Sequence, residues 1–258
     1  MGAMNALRRF VVLQARAAVF GIGILALILI TSAVWSDDWP IYRSDFIFVA
    51  VVLAQVWLLA TGRETWREAG VIAVFHVVGV AMEIFKTAIG SWHYPEPAFF
   101  AIGNVPLFTG FMYSAVGSYI ARFWRLSDMR LERAPPLWAA MLLGVAIYAN
   151  FYTHHYVVDI RLGLFAAIVL LYGATMARFG SRSGEGGIRV PLLAFFALAS
   201  VLIYIAENIG SITGTWLYPS QEAGWRPVPP GKLGAWFLLM TISFVLVWTI
   251  RREKSAHL

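Results

Sequence analysis

Eight apolar runs, separated by short polar segments, leave this chain little choice of fold. They cover roughly residues 17–35, 45–61, 70–90, 105–123, 137–152, 159–179, 190–213 and 232–250. Each is near the ~20 residues with which a helix crosses ~30 Å of hydrocarbon. Only 13% of the chain is charged, against about 25% for a soluble domain. The expected fold is all-α: a polytopic membrane helix bundle of about eight transmembrane helices in a single integral membrane domain. The first run is longer than a signal-peptide core and has no small-x-small cleavage site, which predicts a retained first span.

Orientation follows from the Lys and Arg residues. The N-terminus, the even-numbered connections and the C-tail, with their helix ends, hold fifteen: Arg8, Arg9, Arg16, Arg63, Arg67, Arg122, Arg125, Arg130, Arg133, Arg178, Arg182, Arg189, Arg251, Arg252 and Lys254. The opposite side holds five: Arg43, Lys86, Arg161, Arg226 and Lys232. The bias predicts both termini on the cytoplasmic side of a multi-pass protein. It also accounts for the net charge of +6, so no nucleic-acid partner is expected. With no cysteine in the chain, disulfides, Cys-ligated metal and a thiol nucleophile are excluded.

One stretch occurs twice. Glu83, Gly90, Trp92, Tyr94 and Pro95 recur, at an offset of 124 residues, as Glu207, Gly214, Trp216, Tyr218 and Pro219. Val105-Pro106 recurs at an offset of 123 as Val228-Pro229. Each copy has a carboxylate inside an apolar run, two helical turns before a glycine and a Trp-x-Tyr-Pro exit. Both copies run outward in the predicted topology, which implies a pseudo-twofold 4+4 parallel repeat with halves of about 1–125 and 137–258. The basic segment Arg122–Pro136 reads as the linker and Gly180–Gly187 as a flexible cytoplasmic loop. Val-Pro is expected to restart the next helix at a first-turn position.

On the third run His76, Gly79, Glu83, Lys86 and Gly90 share one helix face. On the seventh, Ser200, Ile203, Glu207, Gly210 and Gly214 do the same. An ionisable group near mid-membrane costs ~2.5–3.5 kcal/mol on insertion scales, so such groups usually serve a function and face protein or water. Glu83 has Lys86 one turn away for an ion pair, whereas Glu207 has Asn208, Gly210 and Ser211. One charged and one neutral carboxyl in one cavity is the pattern of an acid/base pair. The candidate catalytic residues are therefore Glu83, Glu207 and Lys86. His76, Trp92, Tyr94, Asn208, Trp216 and Tyr218 are the candidate substrate contacts near them, the aromatic rings being placed to stabilise a cationic intermediate. The plainer alternatives are helix-pinning carboxylates and an interfacial aromatic belt.

A second cluster closes the fifth run: Tyr148, Asn150, Tyr152, Thr153, His154, His155, Tyr156, Asp159 and Arg161. Asn150 and His154 join the candidate substrate contacts, and His155 could reach Asp159 if the helix continues. Adjacent histidines point in different directions from a helix and make a poor metal site, so no metal and no cofactor are expected. The chain also lacks G-x-x-x-x-G-K-[ST], G-x-S-x-G and paired Asp-rich boxes, which argues against an ATPase, an α/β-hydrolase and a prenyltransferase.

From Glu83 to Arg125, through ANFYTHHYVVDIR and into the second motif, the chain resembles the YoaT-like family of bacterial integral membrane proteins. That resemblance implies topology and residence in the bacterial cytoplasmic (inner) membrane, and no reaction. More remotely, the order of Glu83, Gly90, Tyr94, Val105 and Pro106 is similar to that of membrane carotenoid hydratases, with a departure at Trp92. The favoured expectation is a cofactor-independent membrane enzyme acting on an isoprenoid-like lipid, with Glu207 as acid and Glu83 as base. A proton-coupled transporter using Glu83, Lys86 and Glu207, and a non-catalytic membrane scaffold, are the alternatives. The expected partner is a lipid or other hydrophobic small molecule.

Overall fold

The computed structural model describes residues 2–36, 38–179 and 188–252; the expected loop Gly180–Gly187 lies outside the described residues. The chain is mainly helical. Each of the eight apolar runs holds one helix: α2 (Val19–Val34), α3 (Arg43–Ala60), α4 (Trp66–Ala88), α5 (Phe108–Ser127), α6 (Leu137–Thr153), α7 (Arg161–Tyr172), α8 (Leu192–Ile212) and α9 (Lys232–Arg252). A further helix, α1 (Gly2–Ala17), precedes them.

By length and apolarity α3, α4, α8 and α9 can each cross a membrane, and a fifth span is added if Phe10–Ala17 and α2, bent by 65° between them, form one. Helices α6 and α7 are shorter, and α5 carries Arg122, Arg125 and several hydroxyls along its 20 residues. The exposure pattern is that of a protein in lipid. Val77 is 67% and Leu170 87% exposed, whereas Glu83, Lys86 and Glu207 are 3%, 6% and 5% exposed. Polar groups face inward because hydrocarbon offers them no hydrogen bonds.

The chain divides into two compact units: Met1–Arg122 with Ile205–Pro229, and Phe123–Tyr204 with Pro230–Leu258. The divisions fall inside α5 and α8, so the second copy of the motif belongs to the first unit. In that unit α4 begins with a capping box: Thr65 Oγ1 accepts from the Glu68 backbone N–H at 3.2 Å, and the Thr65 N–H donates to Glu68 Oε2 at 2.9 Å. This satisfies two of the helix's unpaired N-terminal donors. After α4 the chain turns through a small hairpin, β1 (Ala101–Ile102) against β2 (Val105–Pro106). Asp45, in the first turn of α3, accepts from the backbone N–H groups of Phe99 and Phe100, both at 2.8 Å, and ties that loop down.

The second unit contains a three-stranded antiparallel sheet, β3 (Arg130–Glu132), β4 (Met176–Phe179) and β5 (Ile188–Pro191), with β4 central. The segment expected to be only a linker thus supplies a strand, and the sixth apolar run ends as β4 instead of continuing as helix. Glu132 meets Arg178 and Arg189 across the strands. Helices α6 and α9 pack together, and Phe196, Phe244 and Tyr172 are fully buried beside them. The restart role expected of Val-Pro is also corrected. Val105-Pro106 forms β2, and Val228-Pro229 precedes α9 by two residues, so neither pair lies in a helix's first turn.

Candidate functional site

The site begins with two helix ends built alike. After α4, Gly90 has φ 72°, the Ser91 N–H bonds to the Lys86 carbonyl at 2.9 Å, and the Gly90 N–H bonds to the Thr87 carbonyl at 3.0 Å. After α8, Gly214 has φ 67°, the Thr215 N–H bonds to the Gly210 carbonyl at 3.0 Å, and the Gly214 N–H bonds to the Ser211 carbonyl at 3.1 Å. Both are Schellman motifs, and the left-handed position explains glycine at both sites. Each turn sends the following Trp-x-Tyr back over its own helix.

The two returning segments then pair with each other. The His93 N–H donates to the Leu217 carbonyl at 3.0 Å, and the Leu217 N–H donates to the His93 carbonyl at 2.9 Å, as an antiparallel bridge. His93 and Leu217 occupy the same position of the two motifs, so the bridge sits on a local twofold relation between the loops. From this pair hang the two tyrosines. The Tyr94 phenol donates to Glu83 Oε2 at 2.5 Å, and the Tyr218 phenol donates to Glu207 Oε1. In each copy the tyrosine lies eleven residues after the glutamate it meets.

Glu83 receives two more donors, the Trp92 indole N–H on Oε2 at 2.7 Å and the Tyr113 phenol on Oε1 at 2.7 Å. Bonds from neutral donors to a carboxylate run to about twice the strength of neutral pairs and shorten accordingly. Tyr113 was not legible in the motif. It stands on α5, thirty residues from Glu83, and its ring lies on Gly79, where an added Cβ would sit 2.7 Å away. Burial, and then the Glu83 charge, push the Tyr94 phenol well above its ordinary pKa range, so it stays a donor.

The copies differ at one residue that matters. Position 86 is lysine, and its counterpart at 210 is glycine. At Gly210 any Cβ would overlap the outer edge of the Trp216 indole, so the glycine makes room for that ring against α8. In the first copy, where lysine takes that position, the Trp92 indole bonds to Glu83. The Trp92 and Tyr218 rings meet edge to face with centroids 6.0 Å apart, so a donor to one carboxylate touches the donor to the other. Lys86 is buried, with Nζ 5.6 Å from the Phe85 ring centroid. The Asn208 side chain accepts from the Val228 N–H at 3.0 Å and fixes the end of the second loop.

Arg43, at the start of α3, joins both loops, a role beyond the charge bias for which the sequence counts it. Its guanidinium forms two contacts with Glu96, Nε to Oε2 at 2.9 Å and Nη2 to Oε1 at 2.7 Å, and reaches Thr215 Oγ1 at 3.4 Å. No local pattern marks partners 53 and 172 residues apart.

The first unit therefore gathers Glu83, Lys86, His76, Trp92, Tyr94, Asn208, Trp216 and Tyr218. His76, two turns before Glu83, packs against Phe111 with ring centroids 4.4 Å apart. Asn150 and His154 belong to the second unit, at the α6–α7 turn. There the Asn150 side chain bonds to Asp159 Oδ1 at 3.1 Å and accepts from the Ile160 N–H at 3.2 Å, and His154 Nδ1 meets the Asn150 carbonyl at 2.7 Å. Helix α6 ends at Thr153, so the helical register expected for His155 and Asp159 is not formed. For Asp159 burial acts upward, but the Asn150 bond, the Arg161 N–H and the Arg161 charge outweigh it and hold the carboxyl below its usual range. Among the described residues no group of three or more His, Asp or Glu side chains could hold a metal ion.

The apolar helices, the outward-facing aliphatic residues and the inward-facing carboxylates define a multi-pass helical membrane protein. The chain belongs to the DUF817 family, described as a protein of unknown function, whose pattern matches residues 6–244. It is 37% identical over 242 residues to the uncharacterised protein YoaT of Bacillus subtilis (strain 168), covering 94% of this chain and 90% of that one. Among solved structures it resembles MvINS, a mycobacterial Insig homologue from Mycobacterium vanbaalenii, with a TM-score of 0.50 and 15% identity over 71% of this chain and 93% of that chain. A cross-linked MvINS trimer gives a TM-score of 0.51 at 15% identity, covering 72% and 95%. At this identity the likeness concerns the fold.

Proposed function

We propose that this protein is a cofactor-independent enzyme of the bacterial inner membrane that uses paired carboxyl groups on a hydrophobic, isoprenoid-like lipid. One observation carries the reading. Glu83 and Glu207, on different helices, are each capped by the tyrosine of an equivalent loop, and their donors Trp92 and Tyr218 touch. Two buried acids joined by aromatic rings in edge-to-face contact suit a reaction that develops positive charge in a dry site.

The chemistry is addition of water to a carbon–carbon double bond. Glu207 gives its proton to one alkene carbon, and the cation formed faces the Trp92 and Tyr218 rings. Water bonds to the other carbon and releases a proton to Glu83, which the named Trp92, Tyr94 and Tyr113 bonds arrange as an acceptor. Return of that proton from Glu83 to Glu207 closes the cycle with net addition of one water. Positioned acid and base groups contribute ~10²–10⁴-fold, and stabilisation of the cation supplies the rest. Lys86 would tune the charge of the pair. The order of Glu83, Gly90, Tyr94, Val105 and Pro106, similar to that of membrane carotenoid hydratases, supports the same reaction class. Both termini would face the cytoplasm.

Lipid extracts of membranes carrying the wild type and Glu207→Gln test the reading by mass spectrometry. A species heavier than its precursor by one water is expected with the wild type and absent with the variant. Identical lipid profiles defeat the enzyme, and pH-dependent solute flux in proteoliposomes would then identify a proton-coupled transporter.

A further inference from the structure

At the end of α4 opposite the paired loops lies a second buried polar cluster, independent of the carboxyl pair. Glu64, 3% exposed, accepts from Gln55 Nε2 at 2.5 Å and from Ser118 Oγ at 3.0 Å. Arg122, 6% exposed, stands beside it with Nη1 3.8 Å from Glu64 Oε1, which is beyond hydrogen-bonding reach. Its Nη2 makes one long bond, 3.4 Å, to the Arg16 carbonyl of α1. One turn earlier on α5 the Tyr119 phenol donates to Gln14 Oε1 at 2.6 Å. So the C-terminal end of α1 borders this cluster at Tyr119 and Arg122.

The cluster is not closed by its own members. Arg122 Nε and Nη1, Gln14 Nε2 and Gln55 Oε1 are all buried and have no hydrogen-bond partner. A guanidinium carries five N–H donors and cannot shed its charge. Leaving most of them bare in a buried place is costly, and such groups are usually met by a water or an ion. Three of the four bare atoms are donors, and the fourth is an acceptor suited to a ligand O–H. That is the complement of an oxyanion that also carries a hydroxyl, as hydrogen phosphate and a phosphatidylglycerol headgroup both do.

We infer that Arg122, Gln14 and Gln55 form a second binding site, which takes a phosphate- or carboxylate-type oxyanion. Glu64 regulates it. The charged groups facing Glu64 are Arg122 on α5 and Glu68 on α4, with neutral Gln55 on α3 and Ser118 on α5. Burial, countered in part by the Gln55 and Ser118 bonds and the Arg122 charge, leaves the Glu64 carboxyl above its usual range. Once Glu64 is protonated, the full charge of Arg122 is available to the anion, so binding strengthens as pH falls.

The test uses the full chain in neutral detergent micelles, with inorganic phosphate, phosphatidylglycerol and phosphatidylcholine as separate probes, read by thermal shift and native mass spectrometry. Phosphatidylglycerol is expected to bind and raise Tm, with apparent affinity falling at least ~10-fold in Arg122→Gln through loss of the charge-assisted contact. Arg122→Lys, which keeps charge and bulk, should recover part of the affinity and guards against a folding defect. Glu64→Gln should bind with its pH dependence removed. An equal response to inorganic phosphate supports the site and assigns it to a free anion in place of a lipid headgroup. The site is overturned if no anionic probe binds, or if Arg122→Gln and wild type respond alike. None of these readouts depends on turnover at Glu83 and Glu207.

Discussion

The two carboxylates are held by phenols, and this has a cost that can be measured. A hydrogen bond to a charged group is worth about 1.5–3 kcal/mol. Tyr94→Phe should therefore lower Tm clearly, and Tyr218→Phe should cost less, about 0.5–1.5 kcal/mol, because Glu207 carries its proton in the proposed cycle and its bond joins neutral groups. Tyr113→Phe should lower Tm at least as much as Tyr94→Phe, because Tyr113 meets Glu83 Oε1, whereas Tyr94 meets Oε2, which keeps the Trp92 indole. Glu64 predicts a pH effect of definite sign. Its folded pKa lies above the unfolded value of 4.5, so the folded state binds more protons. The stabilisation from protonated Glu64 is present below 4.5 and is lost as pH rises toward the folded value. At neutral pH Glu64→Gln should unfold no earlier than wild type, and the variant's Tm should vary less with pH across that window. Scanning calorimetry in one detergent at several pH values reads this directly. Of the residues at these sites, Glu83, Glu207, Tyr94 and Tyr218 were legible because they recur at a fixed offset. Tyr113, Arg43 and Arg122 were not, because their partners lie far along the chain and no periodicity links them.

Helix ends decide what the loops can do. A non-glycine residue in the left-handed region costs about 1–2 kcal/mol, so Gly90→Ala and Gly214→Ala should each destabilise the fold by that order. Gly210→Ala should behave differently. Its φ is not the difficulty; its new methyl would overlap the Trp216 indole, which must swing away. Trp fluorescence should report a changed environment for that ring in Gly210→Ala but little change in Gly214→Ala. The turn glycines and the helices in the apolar runs could be read from the residues alone, since their causes are local. The helix-to-strand change after Tyr172 could not. The segment Met176–Phe179 is apolar enough for either state, and its strand form depends on pairing with segments from elsewhere in the second unit.

For the whole molecule, membrane residence was the most legible property, because sequestering charge from lipid leaves its mark on composition and on run length alike. The division into units was less visible. A duplicated motif implies two similar halves, yet its second copy belongs to the same unit as the first. What joins the copies is a backbone bridge between equivalent residues, and backbone pairing has no sequence signature. That bridge brings Glu83 and Glu207 under one pair of loops, and every mechanistic step proposed for them depends on it. The chain has no cysteine, so the bridge can be tested on a clean background. Residues that exchange both backbone bonds across an antiparallel pair have Cα atoms about 5.5 Å apart, within the range a disulfide spans. The double variant His93→Cys/Leu217→Cys, treated with mild oxidant in native membranes, should form an intramolecular disulfide that changes gel mobility without reductant, while either single variant should not. Free thiols after oxidation, or cross-links only between different chains, would contradict the pairing and separate the two carboxylates.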